Sequence, residues 1–272
     1  MYTNSASLPF RKIYSIDFEY CGADGEIPKI VCMVIQDLRS GEVSRYWRDD
    51  LCKMKTPPFE TGGDVALLGY YAPAEVQSML ALGWDVDASV IDLFAEFRCQ
   101  TNGNPYVGRK SLVSALQLYG LEQFIPEEKD SMRDLIRSGG PWSKAQRSAI
   151  LDYCQQDVVA LGLLLNAMLR NAPWSELQFN QALLRGRYMK AVGVMQHRGI
   201  PIDLGMLDKL NANWEEIKLN LIENVDAKYG VYVDGGFKEA LFQSYLAREG
   251  ISWPRLDSGR LALDRNTFSN MS

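Results

Sequence analysis

Apolar positions in the N-terminal part of the chain fall into short runs of strand length. The segments 11–19, 30–37 and 45–48 are rich in β-branched and aromatic residues and follow one another closely. Three consecutive strands of this kind predict an antiparallel meander. A fourth apolar run, Val65 to Tyr71, follows a loop rich in proline and glycine and predicts a buried strand.

Helical spacing of apolar residues then replaces the strand pattern. It predicts four helices, over residues 74–83, 91–98, 112–119 and 143–169. The last of these begins with Ser143 and Gln146, which form the S-x-x-Q capping box typical of a helix start. A meander followed by alternating strand and helix predicts an α/β sandwich around a mixed sheet.

The C-terminal part of the chain, beyond Pro173 and Trp174, is almost entirely helical in pattern. Apolar residues at spacings of three and four form the seam of one long predicted helix, at Leu207, Leu210, Trp214, Ile217 and Leu221. We therefore predict two domains, over residues 1–172 and 173–272.

Composition and charge limit the classes of protein to which this chain can belong. No apolar run reaches the roughly 18 residues of a membrane span, and the N-terminus lacks the apolar core of a signal peptide. Five cysteines without a CxxC pair predict reduced thiols in a cytoplasmic protein. The net charge of −5 argues against a passive nucleic-acid coat but suits a carboxylate site for divalent metals. A single histidine, His197, excludes a His-rich zinc site and is interpreted as structural.

Asp17 and Glu19 stand two residues apart on the first predicted strand. Side chains alternate along a strand, so both carboxylates point to the same side of it. They repel each other unless a cation lies between them, which indicates a metal site. The alternative is an exposed strand edge that carries two solvated acids.

Tyr153 and Asp157 stand four residues apart on the predicted helix that begins at Ser143. They lie on one helix face, one turn apart, so the phenol can reach a water on a metal held by the carboxylate. The alternative is the polar face of an ordinary amphipathic helix.

Taken together, a strand D-x-E, an acid in the middle and a helical Y-x-x-x-D resemble the three exonuclease motifs of the DEDD superfamily, in its tyrosine subgroup. The flanking sequence resembles the proofreading domain of family A DNA polymerases, the DNA polymerase I family. The resemblance implies a ribonuclease H-like fold and a bacterial or phage 3′→5′ exonuclease. It also implies that the substrate is a single-stranded DNA 3′ end.

The middle motif departs from the pattern of that family. In GYYAPAE the acid in register is Glu75, and Tyr71 stands where the family has an asparagine. Asp92, in SVIDLFAEFR, is the alternative acid, and its simpler role is the N-cap of its own helix.

The resemblance implies that Asp17, Glu19, Glu75 and Asp157 hold two Mg²⁺ or Mn²⁺ ions, with Glu19 and Tyr153 orienting the attacking water. Oxygen ligands suit these hard cations. Phe18 either packs on a terminal base or belongs to the core. The candidate phosphate contacts, which could equally be solvated charges, are Arg98, Arg109, Lys110 and Arg133.

Residues 181–272 also resemble the DNA polymerase I family, where such a segment begins the thumb. The resemblance implies the front portion of a longer polymerase, in which the polymerase portion is a further partner. Motifs of the palm are not found, so no polymerase activity is expected. Two alternatives stay open: a weakened exonuclease fold that serves as a scaffold or DNA-binding module, and an exoribonuclease of the RNase D type.

Overall fold

The computed structural model describes residues 1–23, 25–124 and 129–271. Contacts between residues divide the chain into two compact units, Met1–Ile200 and Pro201–Ser272. None of the helices in the described ranges combines the length and the apolar character needed to cross a lipid bilayer.

A mixed sheet of five strands organises the described part of the first unit. The strands are β1 (Lys12–Cys21), β2 (Lys29–Asp37), β3 (Val43–Trp47), β4 (Gly62–Gly69) and β5 (Ala88–Asp92). Their order in the sheet is β3-β2-β1-β4-β5. The first three form the predicted antiparallel meander, and β4 and β5 run parallel to β1. The predicted α/β class, a mixed sheet flanked by helices in a ribonuclease H-like arrangement, is confirmed.

Helices surround this sheet. They are α1 (Arg48–Leu51), α2 (Pro73–Ala81), α3 (Leu93–Gln100), α4 (Leu112–Leu118), α5 (Lys129–Arg137), α6 (Lys144–Asn171) and α7 (Glu176–Arg198). The predicted capping box of α6 is confirmed: the N–H of Ser143 donates to Gln146 Oε1 at 2.9 Å, and the N–H of Gln146 donates to Ser143 Oγ at 3.3 Å.

Strand β5 is an element that the sequence did not predict. We expected a helix over 91–98, but residues 88–92 form a strand beside β4, and the helix begins only at Leu93. A buried apolar run of this length fits a strand or a helical turn equally well, so its periodicity could not decide between them.

The two faces of β1 meet different helices. Ile13 packs in one core cluster with Leu161 and Leu164 of α6, whereas Phe18 packs in another with Val76 of α2. Side chains alternate between the two faces of a strand, and Asp17 is an even number of residues from Ile13. Asp17 therefore points toward α6, as Ile13 does.

Helix α7 extends the first unit beyond the boundary predicted after residue 172. A Cβ on Gly186 would lie 1.8 Å from the carbonyl oxygen of Val90, and one on Gly193 would lie 2.7 Å from Cβ of Val76. These two glycines let α7 lie directly on β5 and α2, so the compact unit ends at Ile200. Whether the units correspond to nuclease and thumb segments stays a prediction.

The second unit is mainly helical. It contains α8 (Leu204–Ala212), α9 (Trp214–Tyr229), the short strands β6 (Tyr232–Val233) and β7 (Gly236–Phe237), α10 (Glu239–Arg248) and α11 (Arg265–Met271). The single long helix predicted here is divided at Asn213, whose side-chain amide donates to the carbonyl of Lys209 at 2.7 Å. Such local side-chain bonds compete with the helical pattern of the backbone.

Candidate active site

The acid pair on β1 lies on one side of the strand, as its spacing predicted. A carboxylate oxygen of Asp17, one of Glu19 and the sulfur of Cys154 all lie within 4.8 Å of one another. Both acids are partly exposed, whereas Cys154 is buried. The structure therefore brings the first motif into contact with helix α6.

Helix α6 presents the other predicted pair at the same place. Tyr153 and Asp157 are both buried. Burial raises the pKa of the Tyr153 phenol, and the negative charges of Asp157, Glu19 and Asp17 raise it further. A phenol is protonated near neutral pH in any case, and the raised pKa reinforces this, so Tyr153 can act as a hydrogen-bond donor beside the carboxylates.

Cys154 is a residue of this site that the sequence analysis did not single out. Its thiol lies 3.3 Å from Asp17 Oδ2 and 3.4 Å from the carbonyl oxygen of Asp17, in position to donate to either atom. Burial, together with nearby Cys32 and the charge of Asp17, raises the pKa of the thiol. The i, i+3 spacing from Cys154 to Asp157 could have indicated the shared helix face.

Glu75 enters the site from the first turn of α2. The pairing of β1 with β4 ends at Ser15 and Leu68, so Phe18 lies beyond the end of the neighbouring strand. Its N–H donates instead to Oε2 of Glu75 at 3.1 Å. Gly69 leaves room for this side chain, because a Cβ there would lie 3.2 Å from Cγ of Glu75.

Electrostatics also place Glu75 with the pair on β1. Its side chain is buried. Burial raises the pKa of the carboxyl well above its ordinary value, and the charges of Asp17 and Glu19 act in the same direction. Glu75 thus shares a cluster of like charges with the two acids of the first motif.

Asp92, the alternative acid, is held as the N-cap of α3. Its Oδ1 accepts the N–H of Ala95 at 2.9 Å, and its Oδ2 accepts the N–H of Ala72 at 2.7 Å. The carboxyl is almost completely buried. The predicted capping role is confirmed, and the bond to Ala72 ties α3 to the turn that leads to Glu75.

The remaining candidates are distributed around the site. Phe18 is only 4% exposed and belongs to the core between the sheet and α2. Arg133 acts on the site, because its positive charge lowers the pKa of Tyr153. Arg98 lies over the ring of Phe94, and Lys110 lies over the ring of Phe97. Arg109 is exposed. His197 lies in the last turn of α7.

The donor chemistry of the cluster fits a hard divalent cation. Asp17 and Glu19 offer carboxylate oxygens within 4.8 Å of each other, and Glu75 and Asp157 add two carboxylates beside them. Oxygen ligands are those that hard divalent cations prefer. The sulfur of Cys154 lies in the same group as Asp17 and Glu19 and is hydrogen-bonded to Asp17.

Comparison with known proteins gives matches only among solved structures. No protein-family model matches the chain, and no curated protein does. A chain described as the POL domain of Pol1 from M. smegmatis, in complex with DNA primer-template and dNTP, matches with a TM-score of 0.53 at 13% identity. A chain described as the apo form of a nuclease matches with a TM-score of 0.49 at 17% identity, over 70% of this chain and 86% of that one.

The match to the Pol1 chain shows a shared fold. It covers 97% of this chain. Our chain spans 42% of the length of that POL domain chain, so the comparison concerns less than half of the larger protein.

Proposed function

We propose that this chain is a metal-dependent exonuclease that removes nucleotides from the 3′ ends of DNA. The observation that supports the proposal is the convergence of acids from separate elements: Asp17 and Glu19 from β1, Glu75 from α2 and Asp157 from α6. Packing like charges together opposes folding unless a cation offsets them, so such clusters mark functional sites.

The proposed reaction is hydrolysis of the terminal phosphodiester. Two divalent cations, held by Asp17, Glu19, Glu75 and Asp157, would polarise a water and neutralise charge on the phosphate. Tyr153 Oη, which is protonated near neutral pH, donates a hydrogen bond to the attacking water, and the Glu19 carboxylate accepts one. A new bond forms from the water oxygen to phosphorus and the bond to the 3′ oxygen breaks. The products are a nucleoside 5′-monophosphate and a strand with a free 3′ hydroxyl.

Polarity and choice of nucleic acid come from the motif pattern rather than from geometry. The D-x-E and Y-x-x-x-D motifs resemble proofreading exonucleases that act on DNA 3′ ends. The Pol1 chain of shared fold is described with a DNA primer-template, which agrees with DNA as the substrate. We assign the nuclease to the first unit, interpret the second as the start of a polymerase thumb, and propose no polymerase reaction.

The decisive experiment compares the two ends of one single-stranded DNA oligonucleotide. With Mg²⁺ or Mn²⁺, a 3′ label is released at once as a mononucleotide, and a 5′ label yields a ladder of shortened strands. EDTA stops both reactions. Asp17→Ala lowers the rate by on the order of 10³-fold, because it removes a ligand of the metals.

Asp152→Ala is the matched control. Asp152 lies next to Tyr153 on α6, but its carboxylate is exposed and pairs with Arg45 at 2.8 Å. This variant is expected to keep the wild-type rate. A pure preparation without metal-dependent release of mononucleotides, and without metal binding that depends on Asp17, would indicate the scaffold alternative. Faster attack on RNA than on DNA would indicate the exoribonuclease.

A further inference from the structure

A groove lined by α3 and α7 carries two arginines and an exposed aromatic ring. Its volume is about 370 Å³, within the range of roughly 300–1,000 Å³ in which proteins hold small ligands. The residues of the groove that bear on its chemistry are Phe94, Arg98, Cys99, Asn102, Arg185 and Tyr188. The described lining residues do not include the proposed metal ligands, so the groove is a separate feature of the first unit.

Arg185 is fixed in this groove by a buried carboxylate. Its Nε donates to Oε1 of Glu96 at 2.6 Å, and its Nη2 donates to Oε2 at 2.7 Å. Glu96 is 2% exposed, and a carboxylate so deeply buried needs a paired cation. A guanidinium carries five N–H groups, and within the described ranges Arg185 uses two of them. Three N–H groups therefore remain for a ligand, on a side chain whose direction is already set.

Arg98 brings a second guanidinium to the same groove. Its Cζ lies 5.5 Å from the centroid of the Phe94 ring, and this cation–π contact restrains the side chain. The ion pairs found within the described ranges do not include Arg98. Glu96 offsets one of the two positive charges, so the other is left to attract an anion. The fork of N–H donors on a guanidinium matches the oxygens of a phosphate.

Tyr188 supplies a flat apolar surface beside the arginines. It follows Arg185 by three residues on α7, so the two side chains are neighbours on one helix face. The ring is 68% exposed, and its face is therefore free to stack on a planar heterocycle. Asn102 adds an amide, which can both donate and accept hydrogen bonds. The groove thus combines cations for a phosphate with an aromatic and hydrogen-bonding surface for a base.

We propose that this groove is a nucleotide-binding site, which holds a nucleoside phosphate on Arg98 and Arg185 with the base against Tyr188. A free nucleotide and one nucleotide of a longer strand present the same chemistry, and the test below distinguishes these two sources. The inference goes beyond the proposed exonuclease, because it requires neither a metal nor hydrolysis.

Cys99 allows the groove to be tested by alkylation. Cys52 and Cys99 are both exposed, whereas the other cysteines are buried, and Cys99 lines the groove. The protein is treated with iodoacetamide in EDTA, and mass spectrometry follows the alkylation of both exposed thiols in the same sample. Deoxyadenosine 5′-monophosphate (dAMP) at about ten times its dissociation constant is expected to slow the alkylation of Cys99 by about 10-fold. The alkylation rate of Cys52, the internal control, should not change.

Two further probes identify the source and the class of the ligand. A short oligothymidylate that protects Cys99 at a lower concentration than dAMP assigns the site to a strand. Protection by dAMP at the lower concentration assigns it to a free nucleotide. O-phospho-L-tyrosine also combines a phosphate with an aromatic ring, and stronger protection by this compound than by either nucleotide probe would overturn the proposed ligand class.

Variants test the two parts of the site. Arg98→Gln is expected to raise the dissociation constant for dAMP by about 10- to 100-fold, the worth of one charged hydrogen bond. Tyr188→Ala is expected to raise it by about 5- to 100-fold, and Tyr188→Phe, which keeps the ring, should bind as the wild type does. Arg170→Gln removes an exposed arginine near the end of α6 and is the matched control for the loss of one positive charge.

The outcomes that contradict the site do not depend on catalysis. The proposal is overturned if neither nucleotide probe protects Cys99, if Cys52 is slowed equally, or if Arg98→Gln retains the protection of the wild type. Circular dichroism of each variant verifies that its helix content is unchanged. Because the alkylation is followed in EDTA, a protein without exonuclease activity would contradict the proposed function and leave this test unaffected.

Discussion

Glu75 and Asp92 are buried acids that follow neighbouring parallel strands, and their surroundings hold them in opposite ways. Both oxygens of Asp92 accept backbone N–H groups, from Ala95 and Ala72. Within the described parts of the chain, the Glu75 side chain accepts a single hydrogen bond, from the N–H of Phe18, and it shares the charges of the acids on β1. Burial alone therefore does not identify a functional acid. A carboxylate saturated by backbone donors has a structural role, and one gathered with other carboxylates is available to a cation.

Removing only the charge of each acid gives the largest expected contrast. Glu75→Gln is expected to lower the rate of 3′-end hydrolysis by about 100-fold or more, because one carboxylate ligand of the metals is lost. Asp92→Asn is expected to retain most of the activity, since both oxygens of its carboxyl are taken up by backbone N–H groups. Both rates are measured on the same labelled oligonucleotide at saturating Mn²⁺. Equal losses in the two variants would show that the comparison between these acids is wrong.

The sequence alone predicted only part of the comparison between Glu75 and Asp92. The meander, the mixed sheet and the capping box at Ser143 follow from local patterns, and so does the same-side placement of Asp17 and Glu19. The difference between the surroundings of Glu75 and Asp92 could not be seen in local sequence patterns. It depends on where β4 ends relative to β1, which leaves the N–H of Phe18 to Glu75.

Two other features depend on tertiary contacts that a single sequence does not display. The inclusion of α7 in the first unit rests on the close approach of Gly186 and Gly193 to β5 and α2. The thiol of Cys154 beside Asp17 becomes visible only once α6 lies across β1.

The stabilisation that Mn²⁺ gives to the folded protein should also distinguish Glu75 from Asp92. Mn²⁺ at about 100 times its dissociation constant is expected to raise the free energy of unfolding of the wild type by about 2.7 kcal/mol for each ion bound. Asp92→Asn should show the same gain, and Glu75→Gln a clearly smaller one. Thermal unfolding with Mn²⁺ and with EDTA measures these gains. An Mn²⁺ effect that survives intact in Glu75→Gln would remove Glu75 from the ligand set.

Without metal, the free energy of unfolding should fall in Asp92→Asn and not in Glu75→Gln. Asp92→Asn replaces one acceptor oxygen by an amide group, which leaves one backbone N–H, of Ala72 or Ala95, without its partner. The expected cost is about 1–2 kcal/mol of unfolding free energy. Glu75→Gln keeps an acceptor for Phe18 and relieves repulsion with Asp17 and Glu19, so its unfolding free energy in EDTA should equal or exceed that of the wild type. Urea denaturation of both variants in EDTA gives the two values, and a larger loss in Glu75→Gln would contradict this assignment.

The thiol of Cys154 extends the comparison to a third carboxylate, that of Asp17. Its removal is expected to have the smallest effect of the changes considered. Asp17 accepts a hydrogen bond from this thiol at 3.3 Å, and the bond helps to orient its carboxylate. Cys154→Ala removes that donor and is expected to slow hydrolysis by about 3- to 10-fold, the worth of one hydrogen bond. Cys154→Ser keeps a donor and should recover part of the loss. Cys21→Ala, which removes a buried thiol at the end of β1, is the matched control and should retain the wild-type rate. If Cys154→Ala matched this control in both rate and the Mn²⁺ concentration for half-maximal activity, the thiol would only fill space, and Asp17 would be oriented by its own strand.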